Sequence, residues 1–224
     1  MREYHKIDTV FKRDPATKHK TLLLGDYSQD AFAYLAKNEW VFTEKVDGTN
    51  IRVICPPYQE SGAQYGITFG GKTDAASIPA FLVERLQQRF LTIEQRQKLA
   101  EIFPDGGCLY GEGYGAKIQK GGGNYRQDQD FVLFDVKVGE WWLQRDAIDD
   151  IASKLGLDVV PIIGRGTLTD MIAMAQTGFT STWGPFRAEG IVARPAIELK
   201  ARNGERIITK IKHKDFVDLS STAA

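Results

Sequence analysis

The chain has 224 residues, 42% of them hydrophobic and 26% charged, with a formal net charge of zero. That balance fits a folded globular protein and excludes a disordered one, while the zero net charge argues neither for nor against a nucleic-acid partner. No apolar run approaches the roughly 18–20 residues that span a bilayer, and the N-terminus lacks a signal-peptide apolar core, which predicts a cytoplasmic protein with no membrane partner. Cys55 and Cys108 lack CxxC spacing, and with His5, His19 and His213 as the histidines no disulfide framework or Cys/His zinc cluster is expected.

In chain order, the first feature is a basic stretch, Lys12-Arg13 to Lys18-His19-Lys20, of a kind that is usually a solvated face. Trp40–Val46 and Asn50–Ile54 are β-rich runs around Asp47-Gly48, and Asp-Gly between such runs predicts a hairpin. A second pair is expected near Gln64–Phe69. Pro79–Phe90 carries Phe81, Leu82, Leu86 and Phe90 at helical spacing behind a first-turn proline. Thr92 followed by Gln95 makes a capping-box start for a helix to about Phe103. Phe131–Val138 and Glu140–Leu143 are strands joined at Gly139. Asp146–Leu155 is a helix closed by Gly156, and Thr167–Gln176 is another, capped by Thr167 with Asp170 and closed by Gly178. Ile191–Ala193 and Arg206–Ile211 return to strand. Helices inserted among hairpin-like strand pairs predict a single α+β domain over residues 1–224, with antiparallel sheets flanked by helices, and not an alternating βαβ fold.

Gly66-Ile67-Thr68-Phe69-Gly70-Gly71-Lys72-Thr73 spells the phosphate-cradling pattern G-x-x-x-x-G-K-[ST]. That loop needs a buried strand before it and a helix starting at its Lys-Thr end. Here Glu60–Gln64 is not such a strand, Ile67-Thr68-Phe69 is itself β-forming, and the next helix begins only near Pro79. The motif is refused.

A second constellation carries more chemistry. Lys45 by itself reads as a solvated lysine beside a turn. Glu112 lies among glycines in Gly111-Glu112-Gly113, where a ligand can approach the backbone. In Phe131–Val136, alternation puts Phe134 with Val132 on one face and Asp135 with Phe131 on the other. Glu189 heads the apolar run Gly190-Ile191-Val192. Lys210, Lys212 and Lys214 recur at every second position, which on a strand places three ammonium groups on one face and invites an anion. An aromatic surface, carboxylates and a rank of lysines are the parts of a nucleoside triphosphate site.

These residues resemble the covalent nucleotidyltransferase superfamily of DNA ligases, RNA ligases and mRNA-capping enzymes, and within it the RNA ligase 2-like family. The lysine motif is matched by Glu44-Lys45-Val46-Asp47-Gly48-Thr49-Asn50, followed by Gly71-Lys72-Thr73, where the family usually carries an arginine at the position of Lys72. Tyr110-Gly111-Glu112, Ile118-Gln119-Lys120, Phe134-Asp135, Pro161–Gly166, Ala188–Val192 and Lys210–Phe216 complete the series in family order.

The resemblance implies an ATP-grasp-like nucleotidyltransferase domain and an ATP-dependent RNA ligase using Mg²⁺ or Mn²⁺. Lys45 would attack the α-phosphorus of ATP, expel pyrophosphate and form lysyl-AMP. The AMP would pass to an RNA 5′-phosphate, and a 3′-hydroxyl would then displace it in a nicked or bridged duplex. Lys210 and Lys212 would favour the neutral amine and neutralise phosphate charge. Phe134 would stack on adenine and Glu44 lie near the base edge. Asn50 and Lys72 would reach the phosphate and ribose, Glu112 would hold the ribose, and Glu189 would serve the metal or its waters. Lys117 and Lys120 are candidate RNA contacts, with Gly121-Gly122-Gly123-Asn124 beside them expected as a mobile loop.

About ten residues follow the lysine strand, so no C-terminal OB-fold domain is expected, and an accessory protein could assist substrate engagement. Two rival readings are an adenylyltransferase acting on a non-RNA acceptor or a DNA end, and a non-catalytic RNA-binding relative.

Overall fold

Asp47-Gly48 does not close a hairpin. In the computed structural model, which describes residues 3–58 and 66–216, the two strands flanking it belong to different sheets. A tight two-residue hairpin of type I′ needs positive φ at both central residues. Gly48 does not adopt it. The glycine is needed for another reason: a Cβ there would lie 2.3 Å from the Gly113 carbonyl oxygen and 2.7 Å from Glu112 Cγ.

The chain runs β1 (Asp8–Thr9), β2 (Phe11–Arg13), β3 (Leu22–Tyr27), α1 (Asp30–Tyr34), β4 (Trp40–Lys45), β5 (Thr49–Cys55), β6 (Thr68–Gly70), α2 (Ala80–Phe90) and α3 (Ile93–Ile102). It continues through β7 (Gly107–Gly115), β8 (Gln129–Val138), β9 (Trp141–Trp142), α4 (Arg145–Leu155), β10 (Asp158–Val159), β11 (Ile162–Gly166), α5 (Leu168–Thr177), β12 (Gly190–Pro195) and β13 (Thr209–Lys212). Two compact units result, residues 1–5 with 47–160, and residues 6–46 with 161–224. No helix among the described residues is long and apolar enough to cross a membrane.

The unit holding Lys45 is built on a five-stranded sheet, β1-β13-β12-β4-β11, with a β2–β3 ribbon. Only β1 and β13 run parallel in it. Every second residue of β4, Trp40 and Phe42, faces a core shared with Phe32, Leu168, Met171, Ile191, Ala193 and Ile211. Buried Trp40 donates its indole N–H to the Leu35 carbonyl at 2.9 Å, so its polar group is not stranded. Helix α5 starts in a full capping box of Thr167 and Asp170, as its sequence predicts.

The other unit is a six-stranded sheet, β10-β8-β7-β5-β6 with β9 beside β8. One face packs Ile51, Val53, Leu109, Phe131 and Leu133 against Leu82, Leu86 and Phe90 of α2, Leu99 of α3, and Ile148 and Leu155 of α4. The second pair foreseen near Gln64–Phe69 is the β5–β6 ladder at Thr68–Gly70; Gln64 lies outside the described residues. That ladder also disposes of the phosphate-loop spelling, since Thr68–Gly70 is strand and the next helix starts at Ala80.

Three local expectations are corrected. Thr92 accepts from Gln95 N, but the Gln95 side chain donates to the Leu155 carbonyl at 3.1 Å, so only half a capping box forms. The run Gly121–Asn124 is not an open loop: Gly122–Asn124 is a 3₁₀ turn in which a Cβ on Gly122 would lie 1.9 Å from the Gly115 carbonyl. The lysine rank is two long, because β13 ends at Lys212, the chain turns at His213, and Lys214 is exposed beyond it. The mixed α+β class with mainly antiparallel sheets is as the sequence indicates.

Candidate active site

Strand register assembles the lysines. Gly190 of β12 pairs with Lys45 of β4 on one side and Lys212 of β13 on the other, and the next row, two residues on, is Thr43–Val192–Lys210. Residues at the same and alternate register positions share a face, so Lys45, Lys210 and Lys212 lie on the face opposite Trp40 and Phe42. The middle of the front row is glycine, which leaves no side chain between the two lysines.

Glu189 fills that gap. Its Oε2 lies 2.6 Å from Lys45 Nζ and its Oε1 lies 2.6 Å from Lys212 Nζ. Its carbonyl accepts from His213 N at 3.0 Å, which fixes the backbone carrying the carboxylate against the end of β13. The three side chains are 12–24% exposed, so a ligand can reach them. Glu189 thus stands between Lys45 and Lys212, with Lys210 in the next row of the same face.

Glu44 sits differently. It pairs with Ile191 and projects with Trp40 and Phe42, away from Lys45. It is 1% exposed. Ser181 Oγ donates to it at 2.6 Å, and Thr182 donates through both N and Oγ1 at 2.9 Å. Three donors compensate the burial of this charge.

In the other unit, Asn50 pairs with Glu112, and Glu112 with Val132, in one row across β5, β7 and β8; the neighbouring row is Arg52–Tyr110–Asp135. Both rows face away from the core of Ile51, Leu109 and Phe131. Asn50 Oδ1 is buried without a hydrogen-bond partner among the described residues. Such an acceptor is costly unless a ligand donor meets it. Phe134 is the extra residue of a bulge, since Tyr110 pairs with Asp135 while Gly111 pairs with Leu133. The simple alternation expected for this strand therefore fails: Asp135 does not share the face of Phe131. Phe134 and Asp135 both meet Tyr4, the first by ring contact at 5.1 Å and the second by a 2.6 Å bond from the Tyr4 hydroxyl.

Lys72 is exposed in the loop after β6. Buried Arg52 holds that loop, donating to the Gly71 carbonyl at 2.8 Å and to Asp74 Oδ1 at 2.7 Å. Lys117 and Lys120 are exposed, and Lys117 adopts φ 67°. Their loop is tied to the turn after Lys45: Gln119 donates to the Gly48 carbonyl at 3.0 Å, and Asp47 N donates to Tyr125 Oη at 3.2 Å.

Tyr4, Arg52, Gln119 and Tyr125 were not singled out by sequence reasoning for these contacts. Gln119 stands inside a matched motif, which is a signal; Tyr4 lies 131 residues from Asp135 and carries none.

Among the described residues no three His, Cys, Asp or Glu side chains form a metal cage. A divalent ion would find Glu189 on the lysine face and would complete its shell with phosphate oxygens and water, the usual habit of Mg²⁺ at phosphoryl-transfer sites.

Residues 38–212 match the RNA ligase family model. A search of curated proteins found no match. Among solved structures the chain is similar to Naegleria gruberi RNA ligase. A mutant of that enzyme with ATP and Mn aligns with a TM-score of 0.66 and 15% identity, over 99% of this chain and 58% of that one. The same enzyme with PPi aligns at 0.62 and 18%, over 98% and 60%. A further mutant with AMP and Mn aligns at 0.62 and 16%, over 97% and 59%. The chain thus spans less than two thirds of the length of these structures, and at such identities the likeness speaks for the fold.

Proposed function

This chain belongs to the RNA ligase family, and from that premise we propose that it is an ATP-dependent RNA ligase of the RNA ligase 2-like type, working as one nucleotidyltransferase domain through a lysyl-AMP intermediate on Lys45. The observation that carries the reading is the single carboxylate of Glu189 set between Lys45 and Lys212, each 2.6 Å away.

An ammonium cannot attack phosphorus, so Lys45 must first lose a proton. Glu189 Oε2 is the acceptor at hydrogen-bond distance through which it leaves. The neutral nitrogen attacks the α-phosphorus of ATP, the N–P bond forms, and the bond to the bridging oxygen breaks with its electron pair departing on pyrophosphate. Lys212 and Lys210 offset the charge gathering on the α-phosphate. An RNA 5′-phosphate oxygen then displaces Lys45 from the AMP phosphorus. A 3′-hydroxyl attacks the activated 5′-phosphorus and releases AMP. A divalent cation, Mg²⁺ or Mn²⁺, held by Glu189 with phosphate oxygens and water, would supply charge neutralisation for the departing pyrophosphate.

Phe134 is assigned to the adenine, Glu112 to the ribose, and Asn50 and Lys72 to the ribose and phosphates. The orphaned Asn50 Oδ1 supports its place in this set. Glu44, expected at the base edge, has no place in this set: Ser181 and Thr182 hold its buried carboxylate on the face opposite Lys45. The acceptor is RNA with a 5′-phosphate and a 3′-hydroxyl in a nicked or bridged duplex.

Incubation with α-labelled ATP and Mg²⁺, then denaturing electrophoresis, tests the first step. Label on the protein that disappears in Lys45→Ala is expected; absence of label, or label that persists in the variant, refutes it. Chase with a 5′-phosphorylated nicked RNA duplex then yields AMP-capped RNA and a sealed strand. Label that stays on the protein with RNA but leaves it with a nicked DNA duplex would move the assignment to a DNA end.

A further inference from the structure

The ribbon of β2 and β3 ends in a tip, residues 14–20, that the proposed chemistry does not use. Lys18 and His19 adopt φ 54° and 61° in succession. Left-handed backbone is uncommon for side chains other than glycine, asparagine and aspartate, and two such residues in a row persist only where the surroundings hold them. The surroundings here are explicit. Asp14 N donates to the Thr21 carbonyl at 3.0 Å, Lys18 N to Pro15 O at 3.0 Å, and His19 N to Asp14 O at 3.0 Å. Thr17 and Thr21 join hydroxyls at 2.9 Å. The one acid of the tip, Asp14, caps Ala16 N at 2.8 Å.

This framework exposes cations. Lys18, His19 and Lys20 are all exposed, and neither lysine has an ion-pair partner among the described residues, whereas Lys12 just before them pairs with Asp26 at 2.7 Å. The tip is also braced to the lysine strand. Arg13 donates through one nitrogen to the Lys20 carbonyl at 3.1 Å and through the other to Asp215 Oδ1 at 2.9 Å. Asp215, 4% exposed, in turn accepts from Lys212 N at 3.2 Å with its second oxygen. The backbone that carries this pair of cations is thus tied by a short chain of hydrogen bonds to the backbone of Lys212. A solvated surface run has no need of that brace.

We propose that the Lys18–Lys20 tip is a phosphate-backbone contact, which seizes a nucleic-acid strand and holds it in fixed register to Lys45, Glu189 and Lys212. The inference rests on the ligase reading for the identity of the strand. Phosphate contacts position a duplex without reading sequence, so the tip should be indifferent to base composition.

Equilibrium binding of a 5′-phosphorylated nicked RNA duplex, measured across about 50–200 mM salt, tests it. Lys18→Glu/Lys20→Glu should lower affinity on the order of tenfold and flatten the slope of log K against log salt by about 1.8, the loss of two duplex phosphate contacts. Lys18→Gln/Lys20→Gln should act in the same direction and serves if the reversed charges disturb the fold. Lys154→Glu, a surface lysine paired with Asp150, is the control. Unchanged affinity and slope in both tip variants, or an equal loss in the control, overturns the proposal. Binding does not require chemistry, so a wild-type chain that binds RNA through the tip yet forms no lysyl-AMP would refute the ligase reading alone.

Discussion

Glu189 holds Lys45 with one carboxylate oxygen and Lys212 with the other, at 2.6 Å in each case. Lys45 and Lys212 are therefore not independent: whatever draws charge from Glu189 changes both. Glu189→Gln keeps the size and removes the charge. Two ammonium groups then face each other across Gly190 without an anion. We expect lysyl-AMP formation to fall by roughly 10²–10³ at saturating ATP, the scale of losing one aimed electrostatic contact in an active site. Stability should fall by only about 1 kcal/mol, because these groups remain partly hydrated. Single-turnover labelling and thermal melting read the two effects. A rate within threefold of wild type would remove Glu189 from the chemistry.

Gly190 makes that arrangement possible. A Cβ at this position would meet the Ile211 carbonyl oxygen at 2.2 Å and Lys212 Cα at 2.8 Å, both backbone atoms that cannot rotate away. Gly190→Ala must push β12 from β13 and so shift Lys212 relative to Lys45. A destabilisation of about 1–3 kcal/mol is expected, as for other overpacked sites. Lysyl-AMP formation should fall more than the melting curve explains at a temperature where the variant is folded. Gly139→Ala, whose added methyl would meet nothing within 4 Å, is the comparison; its φ of 56° makes it a strain-only control.

Much of the fold is legible in the sequence, for definite reasons. Helices α2, α4 and α5 show because their buried residues recur at helical spacing and Gly156 and Gly178 stop the last two. Asp47-Gly48 misleads because a turn that leaves one sheet for another uses the same small residues as one that turns back. The bulge at Phe134 leaves no trace, since one extra residue in a strand changes no composition and reverses the alternation beyond it. Lys45, Glu189 and Lys212 lie far apart in the chain, and no spacing rule unites them; strand register does, and the ordered family motifs foreshadow it. Glu44, next to Lys45 in sequence, faces the other way for the most elementary reason, the two-residue period of a strand.

Asp130 predicts a pH response. Burial opposes its charge, yet bonds from Arg89, Arg85 and Phe131 N outweigh that and bring its carboxyl down to about 2. Arg126 adds a contact at 2.8 Å. A carboxylate lowered on folding contributes stability that is full above its unfolded value near 3.9 and is lost as pH falls toward 2. With Asp130 1% exposed, its share is on the order of 2 kcal/mol. Between pH 4 and pH 2 the wild-type chain should lose that increment. Asp130→Asn should be less stable at neutral pH and should show a shallower fall across the same window in denaturant titrations. Parallel curves for the two proteins would contradict the assignment.

Substitution of Phe134 tests nucleotide binding apart from chemistry. The bulge carries its ring to Tyr4, off the core face, so truncation should cost the fold less than loss of a core phenylalanine would. Stacking of a base on an aromatic ring is worth about 1–3 kcal/mol. Phe134→Ala should therefore raise the KM for ATP in lysyl-AMP formation by about 5- to 150-fold while kcat changes little, since Lys45, Glu189 and Lys212 are untouched. Phe134→Tyr should restore most of the affinity, because it keeps the ring. Steady-state labelling over a range of ATP concentrations distinguishes the outcomes. A fall confined to kcat would mean that Phe134 shapes the sheet around Asp135 and Tyr4 and does not carry the base.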